Sequence, residues 1–248
     1  MLEPGELAFG GKLIIGPGGK ARNMAQMAAV YLGPGKVAMI GRTSRDPYGL
    51  WKAPIQALMK AAVDTTYVRE LSFEEAGGKF PGIALIPVDK VGQNQIYVLP
   101  GVNEDFSVAD IDAADQLFHN TSGDKIVLLA LEIPMETALY AADKARLENI
   151  RVILDPGGIS GPIAEKILRG LFLIKPNEHE TKLLTGIAVE GFESAKIAAS
   201  NLLAKGVQHV LITHGSRGAY LFGEKLAEHI PVPDILPTGE TDETGCGD

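Results

Sequence analysis

The residues best suited to chemistry in this sequence are backbone amides and carboxylates standing close together. The sharpest case is Gly245-Cys246-Gly247-Asp248. A Gly-x-Gly stretch exposes N–H groups that no side chain shields, so it can wrap an anion. An aspartate directly after it is placed to take a proton from a hydroxyl attacking that anion. Gly245, Cys246 and Gly247 as anion donors and Asp248 as general base would together perform phosphoryl transfer. The bland alternative is a polar turn with an ordinary acidic residue. Cys246 reads as a small filler rather than a nucleophile, because no activating histidine lies near it in sequence.

Other segments offer compatible chemistry. In Gly16-Pro17-Gly18-Gly19-Lys20-Ala21-Arg22-Asn23, Gly18 and Gly19 let a ligand reach the backbone. Lys20 adds a cation, and Asn23 presents an amide that both donates and accepts. Asn23 would equally serve as a helix N-cap. The spacing Gly16-x-Gly18-x-x-Ala21 also fits a dinucleotide-binding fingerprint, with Arg42 reaching a 2′-phosphate. Glu132 and Asp155 close buried apolar runs, and strand carboxyl ends are where ligands bind in open α/β sheets. Asn177 and Glu180 have the spacing of a helix cap and its N3 partner. A helix start at a strand end also attracts phosphate, and Glu180 one turn in can hold Mg²⁺ through water. Thr213, Gly215, Ser216 and Gly218 follow another buried run, where a hydroxyl and bare backbone suit nucleotide phosphates.

In their order and spacing, the four segments Gly16–Ala25, Lys175–Glu180, Thr213–Gly218 and Asp242–Asp248 resemble the ribokinase-like (PfkB) carbohydrate kinases. That resemblance runs through nearly the whole chain. It implies one kinase domain over residues 1–248, with a three-layer α/β/α sheet and a small β lid over the sugar. The activity it implies is ATP-dependent, Mg²⁺-assisted phosphoryl transfer to a sugar hydroxyl. Ribose is the first choice; fructose, a nucleoside such as adenosine or a sugar phosphate are alternatives. Under it, Gly18, Gly19, Lys20, Asn23 and Glu132 hold the sugar together with Asp248. Asn177, Thr213, Gly215, Ser216 and Gly218 take the nucleotide. Asn177 and Glu180 organise Mg²⁺, and Asp242 helps bind a monovalent cation such as K⁺. The resemblance also implies more chain at both ends, namely a first strand bearing a sugar-binding aspartate and a helix after Asp248. On that expectation the chain is a fragment or a truncated, inactive relative. The rival classes are therefore a non-catalytic sugar-binding protein and an NADP-dependent oxidoreductase.

The elements needed to position these residues can be read from periodicity. Leu7–Ile15 reads as a strand broken by Gly10-Gly11, Asn23–Leu32 as a helix and Val37–Ile40 as a short buried strand. Asp46-Pro47 opens a helix to about Ala62, with Pro54 a possible kink site. The runs near 82–98 alternate as β strands and, with 7–15, are expected as the lid. From Ser107 strands and helices alternate, which predicts a parallel sheet covered on both faces. Ala219–Phe222 and Lys225–Ile230 then form an antiparallel hairpin through Gly223-Glu224.

Composition sets the outer bounds. The chain has 248 residues, 46% hydrophobic and 22% charged, which is enough to bury a substantial core. A net charge of −8 argues against a nucleic-acid binder. The lone Cys246 excludes an internal disulfide and fits a reducing compartment. No apolar run approaches the roughly 20 residues of a membrane span, and residues 1–9 lack a signal peptide's basic start. The expected partners are a small sugar and ATP in the cytoplasm, with dimer formation through exposed lid strands.

Overall fold

The computed structural model describes residues 11–89, 95–119 and 124–232. The chain divides into two compact units, Met1–Asp105 and Phe106–Asp248.

In the first unit, α1 (Lys20–Leu32) buries Met24, Ala25 and Ala29. Its alanines pack with Leu58 and Val63 in a small cluster that also takes in Val37 and Met39. Small side chains on one helical face allow this close approach. The strand β1 (Gly41–Arg45) pairs in parallel with β2 (Val68–Ser72), and α2 (Lys52–Lys60) crosses between them. Asp46 does not cap α2; it holds the preceding turn, accepting from the amides of Tyr48 at 2.9 Å and Trp51 at 3.1 Å. Pro54 falls in the first turn of α2, where no amide bond is lost, so it needs no kink. The expected strand at 37–40 is a single parallel bridge between Ala38 and Asp64.

The alternating runs near 82–98 form a short antiparallel pair, β3 (Ile83–Leu85) and β4 (Tyr97–Leu99). Residues 11–15 do not form the lid strand expected at 7–15; residues 7–10 lie outside the described residues. Gly11 has φ +121, which turns the backbone out of the β region, and Leu13 stays 84% exposed.

The second unit is built on a six-stranded sheet of order β10-β9-β8-β7-β6-β5. The strands β5 (Ile126–Ala130), β6 (Arg151–Asp155), β7 (Leu173–Ile174) and β8 (His209–Thr213) run parallel. The hairpin β9 (Ala219–Gly223) and β10 (Leu226–Ile230) extends the sheet antiparallel. The fold is therefore the three-layer α/β/α class with a mostly parallel sheet. Leu154, Ile174, Val210 and Ile212 are fully buried, as expected when both faces are covered. The helix α5 (Met135–Leu147) lies on β5 and β6, and α7 (Phe192–Ala204) lies on β8 and β9. The helix α6 (Glu178–Thr185) packs on α7 and β8 and ends at Gly186 in the left-handed conformation. Between β6 and β7, where the alternation calls for a helix, the chain makes one 3-10 turn, Glu165–Ile167.

Two short helices that periodicity does not show, α3 (Val108–Asp112) and α4 (Asp115–Phe118), dock on α5 through Lys144. Its ammonium meets Asp112 at 2.8 Å and Asp115 at 2.6 Å, and lies 5.6 Å from the Phe118 ring centre. The Tyr140 hydroxyl also donates to Asp112, at 2.6 Å.

Truncating Ile174, fully buried and flanked by Leu154 and Val210, leaves a void that the strands on either side cannot close. Ile174→Ala is expected to lower unfolding free energy by about 2–5 kcal/mol, read from the urea midpoint at constant slope. The Lys144 cluster generates a pH effect. The hydrogen bond from Lys144 is the main cause holding Asp112 and Asp115 below the ordinary carboxylate value of 3.8. Carboxylates lowered by folding contribute stability above that value and lose it as pH falls through their folded values. Lys144→Met should therefore flatten the decline of the unfolding midpoint below about pH 4. Parallel decline in both proteins would show that the cluster adds nothing.

Candidate functional site

Parallel strands bring their carboxyl ends to one edge of a sheet, and in the second unit that edge collects the polar residues. Glu132 leaves β5, Asp155 ends β6, Asn177 follows β7 and Thr213 ends β8.

Asp155 is 1% exposed. One carboxylate oxygen accepts from the Gly157 amide at 2.8 Å, and the other meets the Lys175 ammonium at 2.8 Å. A buried carboxylate requires such compensation. Lys175 is the residue that sequence reasoning missed as a site member. Its partner lies 20 positions earlier (175 minus 155), on the neighbouring strand. The only local signal was a cation directly after an apolar run. Gly158 brings the β6 exit against β5: a Cβ there would lie 3.5 Å from Glu132 Cγ.

Asn177 and Glu180 form the reciprocal cap that their spacing predicts. Asn177 Oδ1 accepts from the Glu180 amide at 2.8 Å, and Glu180 Oε2 accepts from the Asn177 amide at 2.9 Å. The Thr181 hydroxyl donates to the Asn177 carbonyl at 2.7 Å. A parallel bridge joins Asn177 to Thr213, with the Thr213 amide donating to the Pro176 carbonyl at 3.0 Å. The start of α6 and the exit of β8 are thereby held side by side. Glu178 Oε1 accordingly lies 3.7 Å from where a Cβ on Gly215 would stand.

Gly215, Ser216 and Gly218 shape a tight turn, with a 3-10 stretch over Gly215–Arg217. It is closed by bonds from the His214 amide to the Gly218 carbonyl at 2.7 Å and from Gly218 to Gly215 at 3.1 Å. Gly218 has φ +87, and a Cβ there would lie 2.1 Å from the Ile230 carbonyl, so only glycine fits. Arg217 is tied through its guanidinium to the Glu190 carbonyl.

In the first unit, Gly16, Gly18 and Gly19 precede α1, and Gly19 at φ +96 turns the chain into it. Arg22 braces this loop, donating to the carbonyls of Gly18 at 3.1 Å and Pro17 at 2.7 Å. The helix begins at Lys20 with Gly19 as its cap, so Asn23 lies inside the first turn rather than capping it. The segment before this loop, residues 11–15, is not a strand, and the dinucleotide fingerprint thereby loses the strand–turn–helix frame it requires. Asp242, Gly245, Cys246, Gly247 and Asp248 lie outside the described residues.

Oxygen donors dominate the edge of the second unit, which suits Mg²⁺ better than a softer metal. Glu180 is 8% exposed, with one oxygen committed to the cap. No group of three or more His, Cys, Asp or Glu side chains forms a metal cage among the described residues. Mg²⁺ does not need one, because it keeps waters and shares a carboxylate with substrate phosphates.

Comparison with known proteins places this geometry. The family model for pfkB family carbohydrate kinases matches residues 4–248. A ribokinase of Arabidopsis thaliana is 32% identical over 234 residues, covering 93% of this chain and 58% of the relative. The chain thus spans under two thirds of that protein's length. A deoxyribokinase of Salmonella typhi is 28% identical over 94% of this chain and 72% of its own. Among solved structures, Arabidopsis thaliana ribokinase complexed with ribose and ATP superposes with TM-score 0.77 at 29% identity, covering 93% of this chain and 70% of that one. With the family model matched over residues 4–248, this chain belongs to the pfkB family of carbohydrate kinases.

Proposed function

We propose that the chain transfers the γ-phosphoryl group of ATP to a sugar hydroxyl, with ribose the preferred acceptor. The observation that carries this is the locked juxtaposition of the Asn177–Glu180 cap with the Thr213–Gly218 turn at one sheet edge. It joins a helix start, which favours anions, to a turn whose backbone approaches them. Likeness to ribokinases, one of them solved with ribose and ATP, supports the acceptor.

In this reading Thr213, Gly215, Ser216 and Gly218 seat the ATP phosphates. Asn177 and Glu180 hold Mg²⁺ through water, and Mg²⁺ when bound neutralises charge on the phosphates. Gly18, Gly19, Lys20, Asn23 and Glu132 hold the sugar. The amides of Gly245, Cys246 and Gly247 stabilise the charge on the transferring group, and Asp248 takes the hydroxyl proton. Asp242 contributes to a K⁺ site. Residues 1–248 serve as one kinase domain in a cytoplasmic enzyme, with the 82–98 strands as its lid. The apolar exposure of Leu85, Tyr97, Val98 and Leu99 supports pairing of two copies through that lid. No helix among the described residues is long and apolar enough to cross a membrane.

The deoxyribokinase relative supports 2-deoxyribose as the second acceptor to test. ATP turnover with ribose, 2-deoxyribose, fructose, fructose 6-phosphate and adenosine distinguishes them. It should be measured on this chain and on a version extended to the full length of its relatives. Ribose-preferred turnover, cut at least about a thousandfold by Asp248→Asn with sugar affinity retained, is the expected result. Turnover unchanged by Asp248→Asn would remove the base assignment, and sugar binding without turnover would favour a non-catalytic role.

Glu180 separates charge from capping. Glu180→Gln keeps an acceptor for the Asn177 amide, so thermal stability should hold while the Mg²⁺ concentration for half-maximal rate rises. Glu180→Ala should also lose about 1 kcal/mol of stability with the cap. Equal Mg²⁺ dependence in wild type and Glu180→Gln would assign Glu180 to the fold alone.

A further inference from the structure

We propose that His229 is a positioning residue for nucleotide binding, fixing from β10 the turn in which the ATP phosphates sit. The inference rests on the reading of Thr213–Gly218 as that phosphate turn. His229 Nε2 lies 2.7 Å from the Arg217 carbonyl, to which it donates. That carbonyl belongs to the peptide unit whose N–H, on Gly218, donates to Gly215 at 3.1 Å. Both ends of one peptide plane are therefore tethered, and its orientation sets that of the residues before it. The other amides committed within the turn are those of His214, donating to Gly218 at 2.7 Å, and Arg217, donating to His214 at 2.9 Å. The amides assigned to phosphate are consequently those of Gly215 and Ser216.

The placement of His229 is built into the sheet. It stands directly opposite Tyr220 in the β9–β10 register, with ring centres 5.1 Å apart. Tyr220 is 4% exposed, and Phe192 packs edge-on against its ring. The Tyr220 hydroxyl lies 3.2 Å from His214 Nδ1, inside the turn. A buried tyrosine thus braces one histidine at the base of the turn and a second at its outer carbonyl. His229 donates from Nε2, and imidazole and imidazolium can both do so, so the tether does not depend on its charge.

The test is calorimetric titration of wild type, His229→Leu and His229→Gln with ATP, ADP, adenosine and ribose. His229 is exposed on an edge strand, so neither substitution opens the core. His229→Leu should weaken ATP and ADP about three- to tenfold, the worth of one hydrogen bond, and leave adenosine and ribose unchanged. His229→Gln, with an amide N–H of similar reach, should restore the affinity. Unchanged ATP affinity in His229→Leu, equal loss of adenosine binding, or failure of glutamine to rescue would each overturn the proposal while leaving the phosphate turn in place. Wild type that binds ribose but neither ATP nor ADP would overturn the phosphate reading of the turn, and this inference with it.

Discussion

The candidate site depends on the lacing of a very short strand between two longer ones. The strand β7 has only two residues in register, yet backbone bonds continue on either side of it. Phe172 donates to Val152 at 3.0 Å and Lys175 to Leu154 at 2.9 Å, while Gln208 donates to Leu171 at 2.9 Å and Thr213 to Pro176 at 3.0 Å. These bonds lock residues 171–176 between β6 and β8, with Ile174 fully buried. A one-residue slip would exchange the places of Ile174 and Lys175. Apolar burial thus enforces the register that sets Asp155, Asn177 and Thr213 at adjacent exits.

Charge at this edge is managed locally, against the acidic character of the whole chain. Asp155 spends its charge on Lys175 and a backbone amide, and Glu180 spends one oxygen on the cap. Carboxylates so committed present less negative charge at the edge than free ones, and the start of α6 contributes partial positive charge. The Asp155–Lys175 pair need not contribute much net stability. Removing one member alone strands a buried charge and costs more than the pair gains. Its structural effect is to pin the exits of β6 and β7 to each other.

Much of this architecture was legible in the sequence. Strand–helix alternation from Ser107 gave the parallel sheet, because its strands are short apolar runs separated by helical segments. The Asn177–Glu180 cap was readable because both partners lie within one turn. Pairing was not readable. Leu13, Ile14 and Ile15 have strand character, but the backbone at Gly11 leaves the β region and the residues remain exposed. Asp46 looked like a helix cap and instead closes the turn before the helix, since both uses draw on the same short carboxylate. Lys175 and His229 escaped notice because their partners, Asp155 and Arg217, are reached only across neighbouring strands. Local spacing identifies groups that act within a turn; it does not show which distant groups a sheet will bring to them.

The change from parallel to antiparallel strands at β9 follows the same reasoning. A sheet of parallel strands alone would leave the turn after β8 as a free exit loop. The hairpin instead returns β10 alongside, bringing the Ile230 carbonyl so close to Gly218 that no side chain is tolerated there. The same strand places His229 on the Arg217 carbonyl. Four parallel exits supply the polar groups Glu132, Asp155, Asn177 and Thr213, while the antiparallel pair supplies a rigid wall. Backbone amides can select an anion only if their directions are fixed before it arrives, because orienting them on binding would consume part of the affinity. The hairpin is thus best understood as the element that makes a flexible glycine turn rigid, leaving its glycines to provide access rather than mobility.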